Sequence, residues 1–217
     1  GMAIYAKNIG ECVDFLNKLS AEFGHIFFEK SINIRASFHQ FQRKYLSDKK
    51  LVEVESGFFG SAKEQIIIDS VDHKILSGMA NESYSSLRDL SRQISVPLST
   101  LTCHIEKLER LKIITAYTYA IDTAKIGMQM FNLLIYAKGI NQQLSKDLFE
   151  FAKHHRHIIH FLQCIGEWDF EMGVDVERAE DIIEVTQEIY QQFGERILTV
   201  KTLPLFRYIK LSYYPFK

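Results

Sequence analysis

"SLRDLSRQISVPLSTLTCHIEKLERLKII" runs from Ser86 to Ile114 and reads as two helices separated by a tight break. Ser86 stands three residues before Asp89, the spacing at which a hydroxyl and a carboxylate satisfy the free amides of a first helical turn. Leu87, Leu90 and Ile94 form the apolar stripe of that helix. Pro97 has a preset φ suited to a first turn, and Leu101, Ile105, Leu108 and Leu111 follow at the spacing of a second, longer stripe. Ser99, Thr100, Thr102, Cys103 and Lys107 fall outside it. Upstream, "DHKILSGMA" (72–80) sets Ile75, Leu76 and Met79 on one face and supplies a preceding helix. Downstream, "IITAYTYAID" (113–122) alternates as a small wing does. Three short helices and a following strand are the parts of a winged helix-turn-helix, whose third helix enters a major groove. The same stripes also suit a plain three-helix dimerisation unit, and charge does not separate the two readings. Lys74, Arg88, Arg92, Lys107, Arg110 and Lys112 are balanced by Asp72, Glu82, Asp89, Glu106, Glu109 and Asp122.

The flanks are organised by a repeat. Setting Phe23-Gly24 against Phe193-Gly194 aligns Ile4 with Val174, Val13 with Ile183, Phe15 with Val185, Leu19 with Ile189 and Phe28 with Leu198. Each copy reads as a short strand, an amphipathic helix stopped at the Phe-Gly pair, and a long alternating strand. Ahead of the second copy, "MFNLLIYAK" (130–138) reads as a strand, "QLSKDLFEFAKHH" (143–155) as a helix, and "IIHFLQCI" (158–165) and "WDFEMGVDV" (168–176) as strands. The C-terminal order is therefore β-α-β-β-α-β, the split ferredoxin-like arrangement. A competing register, "IYAK" at 4–7 on "IYAK" at 135–138, matches fewer positions. The expected fold class is α+β: a half copy (β-α-β) over 2–55, a linker over 56–70 around "SGFFGSAKEQ", a winged helix over 71–122, and a ferredoxin-like domain over 128–217. Residues 2–46 need a partner sheet, since so small a unit buries too little alone. Its expected core is Ile4, Phe15, Leu19, Phe23 and Phe28. The alternative source of the missing half is a natural product that extends upstream of Met2.

A length of 217 residues, 47% of them hydrophobic, suits more than one modest core. The net charge of −1 leaves any nucleic-acid contact to a local patch. Cys12, Cys103 and Cys164 are odd in number and lack metal-ligand spacing, which fits free thiols in a reducing cytoplasm. No apolar run approaches the roughly 20 residues that span a bilayer. No membrane partner, metal or cofactor is expected. Long alternating strands such as 197–212 leave an apolar sheet face that a second copy would cover, with Met130, Leu134 and Leu205 as candidate buried positions in a homodimer or higher homo-oligomer.

Taken together, "DHKILSGMANES", "SLRDLSRQI", "PLSTLTCHIEKLERLKII" and "IDTAKIG" ahead of the β-α-β-β-α-β domain resemble the Lrp/AsnC, or feast/famine, family of transcription regulators. The resemblance covers 72–217 in full, and "FHQFQRKYL" before "FFG" resembles the tail of a first ligand domain in tandem members. It implies a regulator that binds double-stranded DNA, responds to a small-molecule effector such as an amino acid, and is not an enzyme. The DNA-binding set so expected is Ser86, Ser99, Thr100, Thr102, Cys103, His104, Lys107 and Arg110. The family's glycine-x-aromatic-aspartate effector turn corresponds here to Gly166, Glu167, Trp168 and Asp169, where the bland alternative is a hairpin turn with a packed tryptophan. Three positions depart from the family: Pro97 stands for serine, His104 for arginine, and Lys112 for glycine.

Two rival functions stand beside this one. Siroheme decarboxylases resemble the same pair of units and act on a tetrapyrrole, and "HHRHIIH" (154–160) offers four imidazoles within seven residues. An assembly partner without DNA binding is the other.

Overall fold

The computed structural model describes residues 2–26, 31–47, 57–60, 66–81, 84–117, 121–139, 141–206 and 214, with only the backbone of 57–60. Three helices, α2 (Ser70–Asn81), α3 (Leu87–Gln93) and α4 (Leu98–Arg110), form the central unit. Their stripes meet as the spacing requires: Ile75, Leu90, Ile94, Val96, Leu101, Ile105 and Leu108 are buried together. Ser86 caps α3 by accepting from the Asp89 amide at 3.2 Å, and Asp89 answers by accepting from the Ser85 amide at 3.1 Å. Pro97 stands just before α4 with φ −54° and ψ 141°, one position earlier than the first-turn reading. Of the expected wing, residues 113–117 and 121–122 form no strand, and 118–120 lie outside the described residues.

The C-terminal domain has the expected order: β3 (Gln129–Ala137), α5 (Gln142–His154), β4 (Ile158–Gly166), β5 (Phe170–Val176), α6 (Asp181–Phe193) and β6 (Ile197–Leu205). Helices α5 and α6 cover one sheet face. Leu144, Leu148 and Ala152 of α5, with Ile182, Val185, Ile189 and Phe193 of α6, pack on Leu133, Ile135, Phe161, Phe170, Met172 and Val174. The long strand expected over 197–212 is seen to Leu205, and 207–213 lie outside the described residues.

The N-terminal segment departs from the half copy. Residues 2–7 form no strand, α1 spans Ile9–Phe23, β1 spans Asn33–Gln40, and β2, Gly57–Gly60, falls where a linker was expected. The full sheet is β2-β1-β4-β5-β3-β6, with every neighbouring pair antiparallel. Strand β1 pairs along β4, which would otherwise be an open edge. The segment therefore meets the sheet of its own chain through β1 rather than through α1, which buries none of its residues. Ile4 and Phe23 are each 40% exposed, Phe15 and Leu19 are half-buried, and Phe28 lies outside the described residues. The absent first strand has a physical reason, since a strand forms only against a neighbour's edge and β1 and β2 already occupy that side of the sheet. Phe41, just after β1, is the segment's core anchor, buried against Phe149 of α5.

Candidate nucleic-acid interface and effector turn

With Leu101, Ile105 and Leu108 buried, the outward line of α4 carries Ser99, Cys103, Glu106 and Arg110, all exposed. These four recur at the spacing of one helix face. Thr100 and Thr102 are half-buried on the flanks, and the Thr102 hydroxyl donates to the Leu98 carbonyl at 3.0 Å. His104 and Lys107 turn away from the outward line toward α2. Asp72, fully buried, accepts from Lys107 Nζ at 2.6 Å and from the Asp69 amide at 3.0 Å, and its other oxygen lies 2.7 Å from His104 Nδ1. Lys107 also reaches Asp69 at 3.3 Å. Burial pushes the Asp72 carboxyl up, but the bonds to Lys107, His104 and the Asp69 amide outweigh it and hold its pKa at about 2. The same bond to Asp72 raises Lys107.

Lys107 is thus a cation locked between α4 and α2 rather than a freely exposed residue. The carboxylates of Asp69 and Asp72 and the His104 ring lie within 4.8 Å of one another, a spacing that suits a metal ion, but the Lys107 ammonium already bonds both carboxylates. Ser86 is occupied as the α3 cap, and Arg110 stays exposed on the last turn of α4. Sequence reasoning overlooked Glu106 on the outward line and the partners of Lys107. The signal for the latter was Asp72 in the first turn of α2, but nothing in one-dimensional spacing pairs residues 35 apart.

Lys112 has φ +57°, the left-handed conformation that a glycine adopts without strain.

The candidate effector turn, residues 166–169, closes the β4–β5 hairpin. Gly166 has φ +148°, and a Cβ there would collide with Asn33 and the Ile32 carbonyl. Asn33, at the head of β1, grips the turn with both ends of its carboxamide. Its Oδ1 accepts from the Glu167 amide, and its Nδ2 donates to the Trp168 carbonyl at 2.8 Å. The Glu167 carboxylate accepts from Tyr136 Oη at 2.9 Å and lies 3.5 Å from Lys201 Nζ. Asp169 accepts from the Ala137 amide at 2.7 Å. Trp168 is half-buried, and its Nε1 is buried with no hydrogen-bond partner among the described residues.

Further polar anchors tie the N-terminal segment to the sheet face opposite the helices. Arg35 meets Glu171 at 3.5 Å, and Arg43 Nε and Tyr45 Oη both donate to Asp175 Oδ2, at 3.1 and 2.6 Å. His160 lies against Gly173, where a Cβ would strike its ring. Burial, reinforced by Arg35 and Arg43, lowers its pKa to about 3. The other imidazoles of the "HHRHIIH" stretch are engaged separately. His154 is exposed beside Glu150, His155 meets Glu188 at 3.2 Å, and His157 bonds the Asp175 carbonyl.

No family model matches the chain. Among curated proteins, an uncharacterized HTH-type transcriptional regulator of Pyrococcus furiosus is 26% identical over 129 residues, covering 58% of this chain and 84% of the relative. Among solved structures, an AsnC family transcriptional regulator from Agrobacterium tumefaciens superposes with a TM-score of 0.57 at 18% identity, over 67% of this chain and 95% of that one. A Neisseria meningitidis transcriptional regulator solved as a complex with L-Met gives 0.56 at 12% identity, over 68% and 96%. The capped helix pair, the buried stripe under α4 and the β3-α5-β4-β5-α6-β6 order agree with these likenesses: the chain has the fold of the AsnC family regulator and is similar in sequence to HTH-type transcriptional regulators.

Proposed function

We propose that this protein is a DNA-binding transcriptional regulator that reads the major groove with α4 and responds to a small molecule. The observation that carries the reading is the outward line Ser99, Cys103, Glu106 and Arg110 on a helix whose opposite stripe is fully packed. Such a helix can be pressed into a groove without unfolding its support. Arg110 supplies a phosphate contact, Ser99 a hydroxyl for base or phosphate, and Glu106 an acceptor suited to cytosine N4. Ser86 and Thr100 lie at the rim. The turn 166–169 is the proposed effector seat, and an amino acid is the proposed effector class. The complex of a similarly folded regulator with L-Met supports that choice. The working unit is proposed to be at least a homodimer.

Fluorescence anisotropy on the protein's own promoter fragment, titrated at several salt concentrations, tests the interface. Arg110→Ala is expected to weaken binding and reduce the slope of log affinity against log salt by about 0.9, one phosphate contact. Lys107→Met is expected to leave the slope within error, since Asp72 and Asp69 already hold its charge. The reverse pattern removes Arg110 from the interface and puts Lys107 in it.

A further inference from the structure

We infer that the N-terminal strap is a tethered occupant of the effector turn, so that the protein carries its own competitor for the small molecule. The inference rests on the reading of 166–169 as the effector seat. The two backbone groups that a ligand needs there, the Glu167 N–H and the Trp168 carbonyl, are held by one side chain, the Asn33 carboxamide. A carboxamide presents an acceptor and a donor side by side. A free α-amino acid presents the same pair, as a carboxylate for the Glu167 amide and an ammonium for the Trp168 carbonyl. Gly166 leaves the space that either one fills, because any Cβ at that position meets Asn33. Ligand and Asn33 are therefore mutually exclusive.

The strap is held more lightly at that end than at the other. A bulge between Arg35 and Ser37 interrupts its pairing with β4. Below the bulge the strap is anchored, with Phe41 6% exposed, Arg43 and Tyr45 on Asp175, and Lys44 Nζ donating to the His155 carbonyl at 3.0 Å. Above it Ser31, Ile32, Ile34 and Arg35 are all exposed, Ile34 at 56%; Asn33 holds two backbone groups of the turn, beside a Ser31 bond to the Glu167 carboxylate and the 3.5 Å pair of Arg35 with Glu171. Residues 31–35 can leave the turn while 37–47 stay in place, and little apolar surface is lost. A seat closed most of the time weakens the apparent affinity by the inverse of the open fraction.

The test uses the full chain and calorimetric titration with L-methionine, L-leucine and L-asparagine, with amide exchange at Glu167 read by mass spectrometry or NMR. Asn33→Ala is expected to bind at least one of them about tenfold or more tighter than wild type, with exchange at Glu167 slowed again by the bound ligand. Asn33→Asp keeps the acceptor and loses the donor, and should fall between; it also keeps the strap in place if the alanine variant folds poorly. Equal affinity in wild type and both variants, with Glu167 protected by ligand, keeps the effector seat and overturns the strap as its competitor. No binding by any of the three proteins overturns the effector seat and the inference with it.

Discussion

Asp72 illustrates how one residue can decide what its neighbours are free to do. Its burial between α2 and α4 fixes Lys107, which helical spacing assigns to the DNA side, and His104, which the family resemblance assigns there. Asp72→Asn should destabilise the central three-helix unit by about 1–3 kcal/mol in denaturant unfolding; the loss is smaller than for a fully buried pair because Lys107 stays partly in water. The acid response has two windows. Asp72 has a folded pKa below its ordinary 3.8, so its contribution is complete above that value and fades as pH falls toward 2. His160 has a folded pKa below its ordinary 6.5, so its neutral burial contributes fully above 6.5 and is lost as pH falls toward 3. Acid unfolding followed by circular dichroism should therefore weaken first in the sheet domain, and His160→Phe should shift that onset to lower pH. A wild-type onset only below pH 4 contradicts the His160 assignment. At Lys112, relief of the left-handed strain by Lys112→Gly should raise stability by about 1 kcal/mol, measured by urea titration. A loss of stability contradicts the strain.

At the scale of elements, α1 and β1 divide the N-terminal segment into a helix that buries nothing and a strand that completes a sheet. Phe41→Ala should cost about 3–5 kcal/mol, whereas Phe23→Ala should cost less than about 0.5 kcal/mol. Comparable losses at the two sites would show α1 packed. The helices of the central unit and all six elements of the C-terminal domain were legible because their stripes and alternations are long and are bounded by Ser86, Pro97 or the Phe-Gly stop. The segment before Ser70 was less so. Its repeat pattern is real in the sequence, yet whether an alternating run becomes a strand depends on which edge is open, and that is a tertiary fact. "GFFG" at 57–60 has glycines at both ends and reads as a linker until β1 offers it an edge. The candidate site divides along the same line. The outward residues Ser99, Cys103 and Arg110 follow from helical period, while the inward turn of Lys107 and the hold of Asn33 on Glu167 join residues far apart in sequence, which no spacing rule brings together.

For the whole molecule, the sheet face opposite α5 and α6 is only partly covered by the described residues. Its β4–β5 side holds buried His160, Leu162, Glu171 and Asp175, whereas on the β3–β6 side Met130, Leu134 and Leu205 are half-buried and Leu203 is 42% exposed. That side is the proposed homodimer surface. Sedimentation equilibrium at micromolar concentration should give a dimer or larger species, reduced to monomer by Leu134→Arg. A wild-type monomer would contradict it. A second whole-molecule link runs through Tyr214, whose hydroxyl bonds His73 Nδ1 and whose carbonyl accepts from Asn81 Nδ2 at 3.2 Å, both on α2. The chain near its C-terminus thus touches the same helix that supplies Asp72 to α4. Selection of sheared genomic DNA by the purified protein tests most directly whether α4 reads DNA. Discrete fragments should be enriched by the wild-type chain and lost with the combined variant Ser99→Ala, Cys103→Ala, Arg110→Ala, while the variant keeps its thermal stability and oligomeric state. Equal enrichment by both proteins, or none by either, would contradict the account.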